Sequence, residues 1–100
     1  MTLAEFKRDV SKREPPAGLS PALEALWWAA KDDWAKAHGI VMKQDSRDAA
    51  WVHAYLHRVE GDLDNAGYWY RRAHRPAASG ALPEEWDAIA AALLENAQTS

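Results

Sequence analysis

The chain has no cysteine among its 100 residues, which excludes disulfide staples, thiolate metal centres and cysteine nucleophiles. No apolar run approaches the ~20 residues of a membrane-spanning helix. The opening stretch MTLAEFKRDVSKREPP mixes acids with bases and lacks an apolar core, so it does not read as a secretory leader. A serine nucleophile in G-x-S-x-G context, a glycine-rich phosphate loop and the H-E-x-x-H metal signature are all missing. No stretch alternates with period two, so no sheet is expected. An excess of positive charge is missing as well: 12 Lys and Arg against 15 Asp and Glu give a formal net charge of -3. That balance argues against a protein whose main work is neutralising phosphates. The expectation is a soluble, cytoplasmic protein with no cofactor, no nucleic-acid partner and no membrane partner.

What is present is apolar and aromatic. Hydrophobic residues make up 48% of the chain, enough for one core in one domain of this size. Six tryptophans are many for so short a chain, and tryptophan serves interfaces as well as cores.

Helical periodicity organises the sequence. Thr2 and Glu5 have capping-box spacing before Leu3, Phe6 and Val10, predicting a short helix over residues 3–13 that Pro15 and Pro16 end. Ser20 and Pro21 start a second helix over 21–31, with Leu23, Leu26, Trp27 and Ala30 on one stripe. Asp33 caps a third over 33–44, carrying Trp34, Ala37, Ile40 and Val41, with Gly39 costing about 1 kcal/mol against alanine. The fourth, over 47–60, has Ala49, Val52, Leu56 and Val59 on one face. Gly61 ends it and Asp62 caps the fifth, over 63–75, with Leu63, Ala66, Trp69, Tyr70 and Ala73 on one side. Pro83, Glu84 and Glu85 open a last helix striped by Trp86, Ile89, Ala90, Leu93 and Leu94. Residues 1–19 read as an arm, a short helix and a proline linker, lying loosely on the domain, and 20–98 as a single domain.

Part of this pattern occurs twice. An offset of 29 places Asp33 on Asp62, Ala25 on Ala54, Ala37 on Ala66 and Val41 on Tyr70. Two helical hairpins, each with small residues at the crossing and a larger one a turn later, account for it. The expected fold is therefore all-α: two stacked antiparallel hairpins, a C-terminal capping helix and a short N-terminal helix. GDLDNAGYWYRRA, from Gly61 to Ala73, resembles the second half of a tetratricopeptide repeat, with Ala66, Tyr70 and Ala73 at its small-aromatic-small positions and Ala54 at the small position of its first helix. His57 stands where that family has an aromatic, Val41 takes the aromatic position in the first hairpin, and the offset is 29 rather than 34. The resemblance covers residues 21–76 and implies peptide or protein recognition. The run from His53 to Asp62, followed by Asn65 to Arg72, is also similar to a group of small microbial proteins with no established activity.

Two groups of residues could carry function. His53, His57 and Glu60 fall within about 60° of one another on the fourth helix. Histidines at i and i+4 can share a divalent metal with a carboxylate one turn on, and Asp62 or Asp64 could add a fourth ligand; the plainer reading has the two histidines hydrogen-bonding at a boundary between hairpins. Arg58, Arg71, Arg72 and Arg75 form the second group, beside Tyr68. Arginine next to aromatics suits a carboxylate or phosphate ligand, whereas pairing with Glu60, Asp62 and Asp64 would leave it purely structural. His38 and His74 have no metal spacing and read as surface residues. Trp34 is expected to pack on the preceding helix. The functional expectation is a non-enzymatic interaction module for a protein or peptide, open to self-association, using His53, His57, Arg58, Glu60, Tyr68, Arg71 and Arg72. The alternative is a small metal- or ligand-binding protein, with enzymatic activity open, built on His53, His57 and Glu60.

Overall fold

Five helices begin where a short polar side chain accepts a hydrogen bond from a backbone N–H three residues on. Thr2 caps α1 (Leu3–Asp9) in a full capping box with Glu5, Ser20 caps α2 (Pro21–Ala30), Asp33 caps α3 (Trp34–Val41), Ser46 caps α4 (Arg47–Glu60) and Asp62 caps α5 (Leu63–Ala73). A sixth helix, α6, spans Leu82–Thr99 and carries Glu84 and Glu85 in its first turn. This computed structural model describes the backbone of residues 1–99 and the side chains of residues 1–96. The described residues are all-α and contain no strand.

The two hairpins turn in the same way. Gly61 is left-handed (φ 87°), and the Asp62 and Gly61 amides donate to the His57 and Arg58 carbonyls at 2.9 and 3.1 Å. At the earlier turn Asp32 is left-handed (φ 62°), and the Asp33 and Asp32 amides donate to Trp28 and Ala29, both at 3.0 Å. Each turn thus satisfies the last carbonyls of one helix and hands an aspartate cap to the next. The 29-residue offset superposes these turns residue for residue. It also pairs buried positions: Ala25 with Ala54, Ala37 with Ala66, and Val41 with Tyr70 are all at most 3% exposed.

Hairpin α2–α3 stacks on hairpin α4–α5 through contacts of α4 with α2 and α3. The last helix lies across α2 and α4, where Trp86 Nε1 donates to the Leu26 carbonyl at 2.9 Å. The backbone of α5 packs closely against one helix, α4, as that of α1 does against α6. The main core joins Phe6, Leu23, Leu26, Trp27, Val52, Leu56, Ile89 and Leu93, and a smaller cluster of Ala54, Ala66 and Tyr70 lies between α4 and α5.

Two expectations need correction. The N-terminal arm does not lie loosely: Phe6 is fully buried and stacks on Trp86 at 5.6 Å, and Lys7 pairs with Asp87 at 3.2 Å. Val59 and Leu63 are not core residues but are 43% and 67% exposed, because they flank the turn at the hairpin tip, where packing neighbours run out. Trp34 packs against the main core and also reaches α4, its Nε1 donating to the Leu56 carbonyl at 2.6 Å.

Candidate functional site

The boundary between the hairpins is built from imidazoles. On α4, His53 and His57 lie one turn apart, 4% and 6% exposed, with ring centroids 4.9 Å apart. From α3, His38 joins them. It is half-buried, not the surface residue expected, and its Nε2 lies 3.0 Å from His53 Nε2. Its ring stacks on Trp34, one turn earlier on α3, at 4.6 Å and 11°. At the other end, His53 stacks on Trp69 of α5 at 3.8 Å and 14°. Two tryptophans therefore wall three histidines, and the residues come from three helices.

The hydrogen bonding is uneven. His57 Nδ1 and Glu60 Oε1 are 2.6 Å apart, which directs the other ring nitrogen of His57 away from the carboxylate. His53 Nδ1 is buried with no hydrogen-bond partner. Burial, with the neighbouring His38 and His57 adding to it, pushes the His53 imidazole down to about 4. His38 is lowered too, by burial first and by His57 second. Both rings are therefore neutral at pH 7, so one Nε2 carries a proton and the other accepts it.

His38, His53 and His57 each offer a ring nitrogen, and these nitrogens all lie within 4.8 Å of one another. The set expected from sequence, His53, His57 and Glu60, is regrouped: Glu60 sits behind His57, and with Asp62 it forms a second, more exposed cluster on that same histidine. Nothing within α3 alone could have singled out His38. The one usable signal was that Trp34 and His38 share the i, i+4 spacing of His53 and His57.

The arginines divide. Arg58 belongs to the interior: its Nη1 donates to Glu85 Oε1 at 2.8 Å and its Nη2 to the Gly80 carbonyl, while Tyr70 donates its hydroxyl to the other oxygen of Glu85. Burial, then the bond to Glu85, raises the Tyr70 phenol well above its ordinary range. Glu85 is itself 8% exposed, so this network ties α4, α5 and α6 together. It replaces the pairing of Arg58 with Glu60, Asp62 or Asp64 that the sequence left open.

Arg71, Arg72 and Arg75 are exposed, and none makes an ion pair among the described residues. Arg72 donates to the Tyr68 hydroxyl at 3.2 Å and lies 5.2 Å from the Trp69 ring centroid. Arg75 lies 3.9 Å from the Trp51 ring centroid. Tyr68 is 44% exposed and meets Trp69 edge-on at 5.1 Å. Trp69 thus links the histidine box, through His53, to the arginine face, through Arg72. His74, in the left-handed region at the end of α5, is exposed.

Among the described residues no helix is long and apolar enough to cross a membrane. In comparisons with protein-family models, curated proteins and solved structures, nothing matches this chain.

Proposed function

We propose that the chain is a non-enzymatic, tetratricopeptide-like interaction module that takes an acidic segment of a protein partner along the outer side of α5. The observation that supports this is the set of three exposed arginines without carboxylate partners among the described residues, in a chain whose acids outnumber its bases. Guanidinium groups bind carboxylates through paired hydrogen bonds. Here two of them are held over Trp69 and Trp51, which lowers the ordering cost of binding. The shape of the fold agrees. The face shared by α2 and α4 is taken by α6, whereas α5 packs its backbone closely against α4 alone and meets α6 only through the Tyr70 hydroxyl on Glu85. In a stacked array the next hairpin would lie on α5. Tyr68 supplies an exposed aromatic to the same surface.

A nucleic acid fits less well, since three arginines on a chain of net charge -3 make a small electrostatic footprint. The proposed setting is the cytoplasm. A second copy of the chain is the competing occupant, and light scattering across a concentration series separates it from a foreign partner.

The test is fluorescence anisotropy with a labelled Asp- and Glu-rich peptide and a Lys-rich control of the same length. Binding of the acidic peptide alone, weakening with salt, is expected. Replacing both Arg71 and Arg72 by Ala should cost about tenfold or more in affinity. Equal binding of both peptides, or acidic-peptide binding that survives the double substitution, would defeat the proposal.

A further inference from the structure

We infer that His38, His53 and His57 form a binding site for one divalent transition-metal cation, held by three imidazoles between the two hairpins. The inference stands apart from the arginine face, and either can fail without the other.

Three features of the geometry support it. The first is convergence. Two nitrogens bound to one tetrahedral cation at 2.0–2.1 Å are about 3.3 Å apart. The Nε2 atoms of His38 and His53 are 3.0 Å apart, so a few tenths of an ångström of opening would admit the ion. One ring nitrogen from each of the three histidines lies within 4.8 Å of those of the other two, so binding would draw His57 toward the His38–His53 pair.

The second feature is the support behind the ligands. A metal-bound histidine usually holds a carboxylate or carbonyl on its far nitrogen, which fixes the ring and raises its basicity. His57 has this arrangement with Glu60 at 2.6 Å. This also explains why Glu60 acts behind the site and is not itself a ligand. His38 is held by stacking on Trp34, and Trp34 is anchored in turn to the Leu56 carbonyl. His53 is held by stacking on Trp69.

The third feature is the cost of the arrangement without a ligand. Three nearly or partly buried imidazoles satisfy one mutual hydrogen bond and one bond to Glu60, and His53 Nδ1, across the ring from the shared nitrogen, has no partner and would gain none from the ion. A buried polar atom without a partner is destabilising, and an apolar aromatic would fill the same stack without that cost. A role confined to packing gives no reason for nitrogen at all three positions, whereas a shared cation does.

The ligand set narrows the ion. Imidazole suits zinc, nickel, copper and cobalt, while calcium and magnesium prefer oxygen. Three protein ligands leave a fourth position for water or an exogenous group. Because His38 comes from α3 and the other two from α4, the ion would also clamp one hairpin to the other.

The experiment uses the full chain without an affinity tag, stripped with chelator. Zinc and cobalt(II) are titrated by calorimetry, and cobalt is also followed by its visible absorption. One equivalent, with the intense visible bands of a four-coordinate cobalt centre, is expected. So is a rise in Tm on the order of 10 °C when free zinc is a hundredfold above its Kd. His38→Phe, which keeps the stack on Trp34, should weaken binding at least a hundredfold. Glu60→Gln should weaken it tenfold to a hundredfold, and His74→Ala should leave it unchanged. If His38→Phe does not fold, His38→Gln takes its place. No bound equivalent in the unmodified chain overturns the inference. So does binding that survives loss of His38, which would move the ion to the exposed cluster of His57, Glu60 and Asp62.

Discussion

Lowering the pH of the metal-free protein from 7.5 to 5 should remove about 2 kcal/mol of folding stability through His53 alone. In the fold this imidazole is pushed from its ordinary 6.5 down to about 4, first by burial and then by His38 and His57. The unfolded chain therefore takes up a proton near pH 6.5, while the folded chain declines it until about pH 4. Stability rises with pH wherever the unfolded state holds more protons. The contribution of neutral His53 is thus complete above 6.5 and is lost as the pH falls from 6.5 towards 4. The full difference, about 2.5 pH units at 1.36 kcal/mol each, amounts to about 3 kcal/mol. About 2 kcal/mol of this is gone by pH 5, before most carboxylates titrate. His38, also lowered by burial, acts in the same direction. The titratable neighbours that act on His53 are His38 and His57, and the Glu60 carboxylate lies behind His57, so it offsets little of the loss. Against a usual stability of roughly 5–15 kcal/mol for a small domain, such a loss is easily measured.

The assay is urea unfolding at pH 7.5, 6.5, 5.5 and 5.0 with chelator present, followed by tryptophan fluorescence. The partner variant is His53→Phe, which preserves an aromatic ring against Trp69. It should show a much flatter dependence of stability on pH, whatever its absolute stability. An unchanged stability between pH 7.5 and 5 would refute the reasoning, as would an equal slope in His53→Phe.

Two glycines should respond with opposite signs. Gly61 holds a left-handed turn (φ 87°), so Gly61→Ala should cost about 1–2 kcal/mol. An added Cβ at Gly39, inside α3, meets nothing within 4 Å, so Gly39→Ala should gain about 0.5–1 kcal/mol; both are read from urea midpoints. Glu85→Ala should cost about 3–5 kcal/mol, because it leaves the Arg58 guanidinium and the Tyr70 hydroxyl without their buried partner. Thermal melts would show this as a Tm lowered by well over 10 °C.

The parts of the fold visible in the sequence are those written by local chemistry. Ser20–Pro21, Asp33, Ser46 and Gly61–Asp62 each mark a helix boundary through a hydrogen bond made within a few residues, so the helices and the repeat of 29 could be read directly. The burial of Phe6 could not. Its partner Trp86 is 80 positions away, and all five prolines of the chain intervene. Val59 and Leu63 fit the periodicity of their helices, yet periodicity carries no information about where a neighbouring helix stops.

The histidine box shows the same division within one site. The i, i+4 pair on α4 was legible because one helix sets its spacing. The pair on α3, Trp34 and His38, has the same spacing but read as unrelated, since the register between α3 and α4 depends on how two hairpins stack. Each histidine at the closest contact adjoins a fully buried alanine: His38 follows Ala37, and His53 precedes Ala54. Small residues at those positions let the helices approach, so the residues that carry the repeat also place the imidazoles. That coupling yields a consequence for substitution. Enlarging Ala54 to valine should push α4 away from α5, where Ala54 packs against Ala66 and Tyr70, and so shift the ring of His53 and disturb its 3.0 Å contact with His38, although the alanine offers no ligand atom.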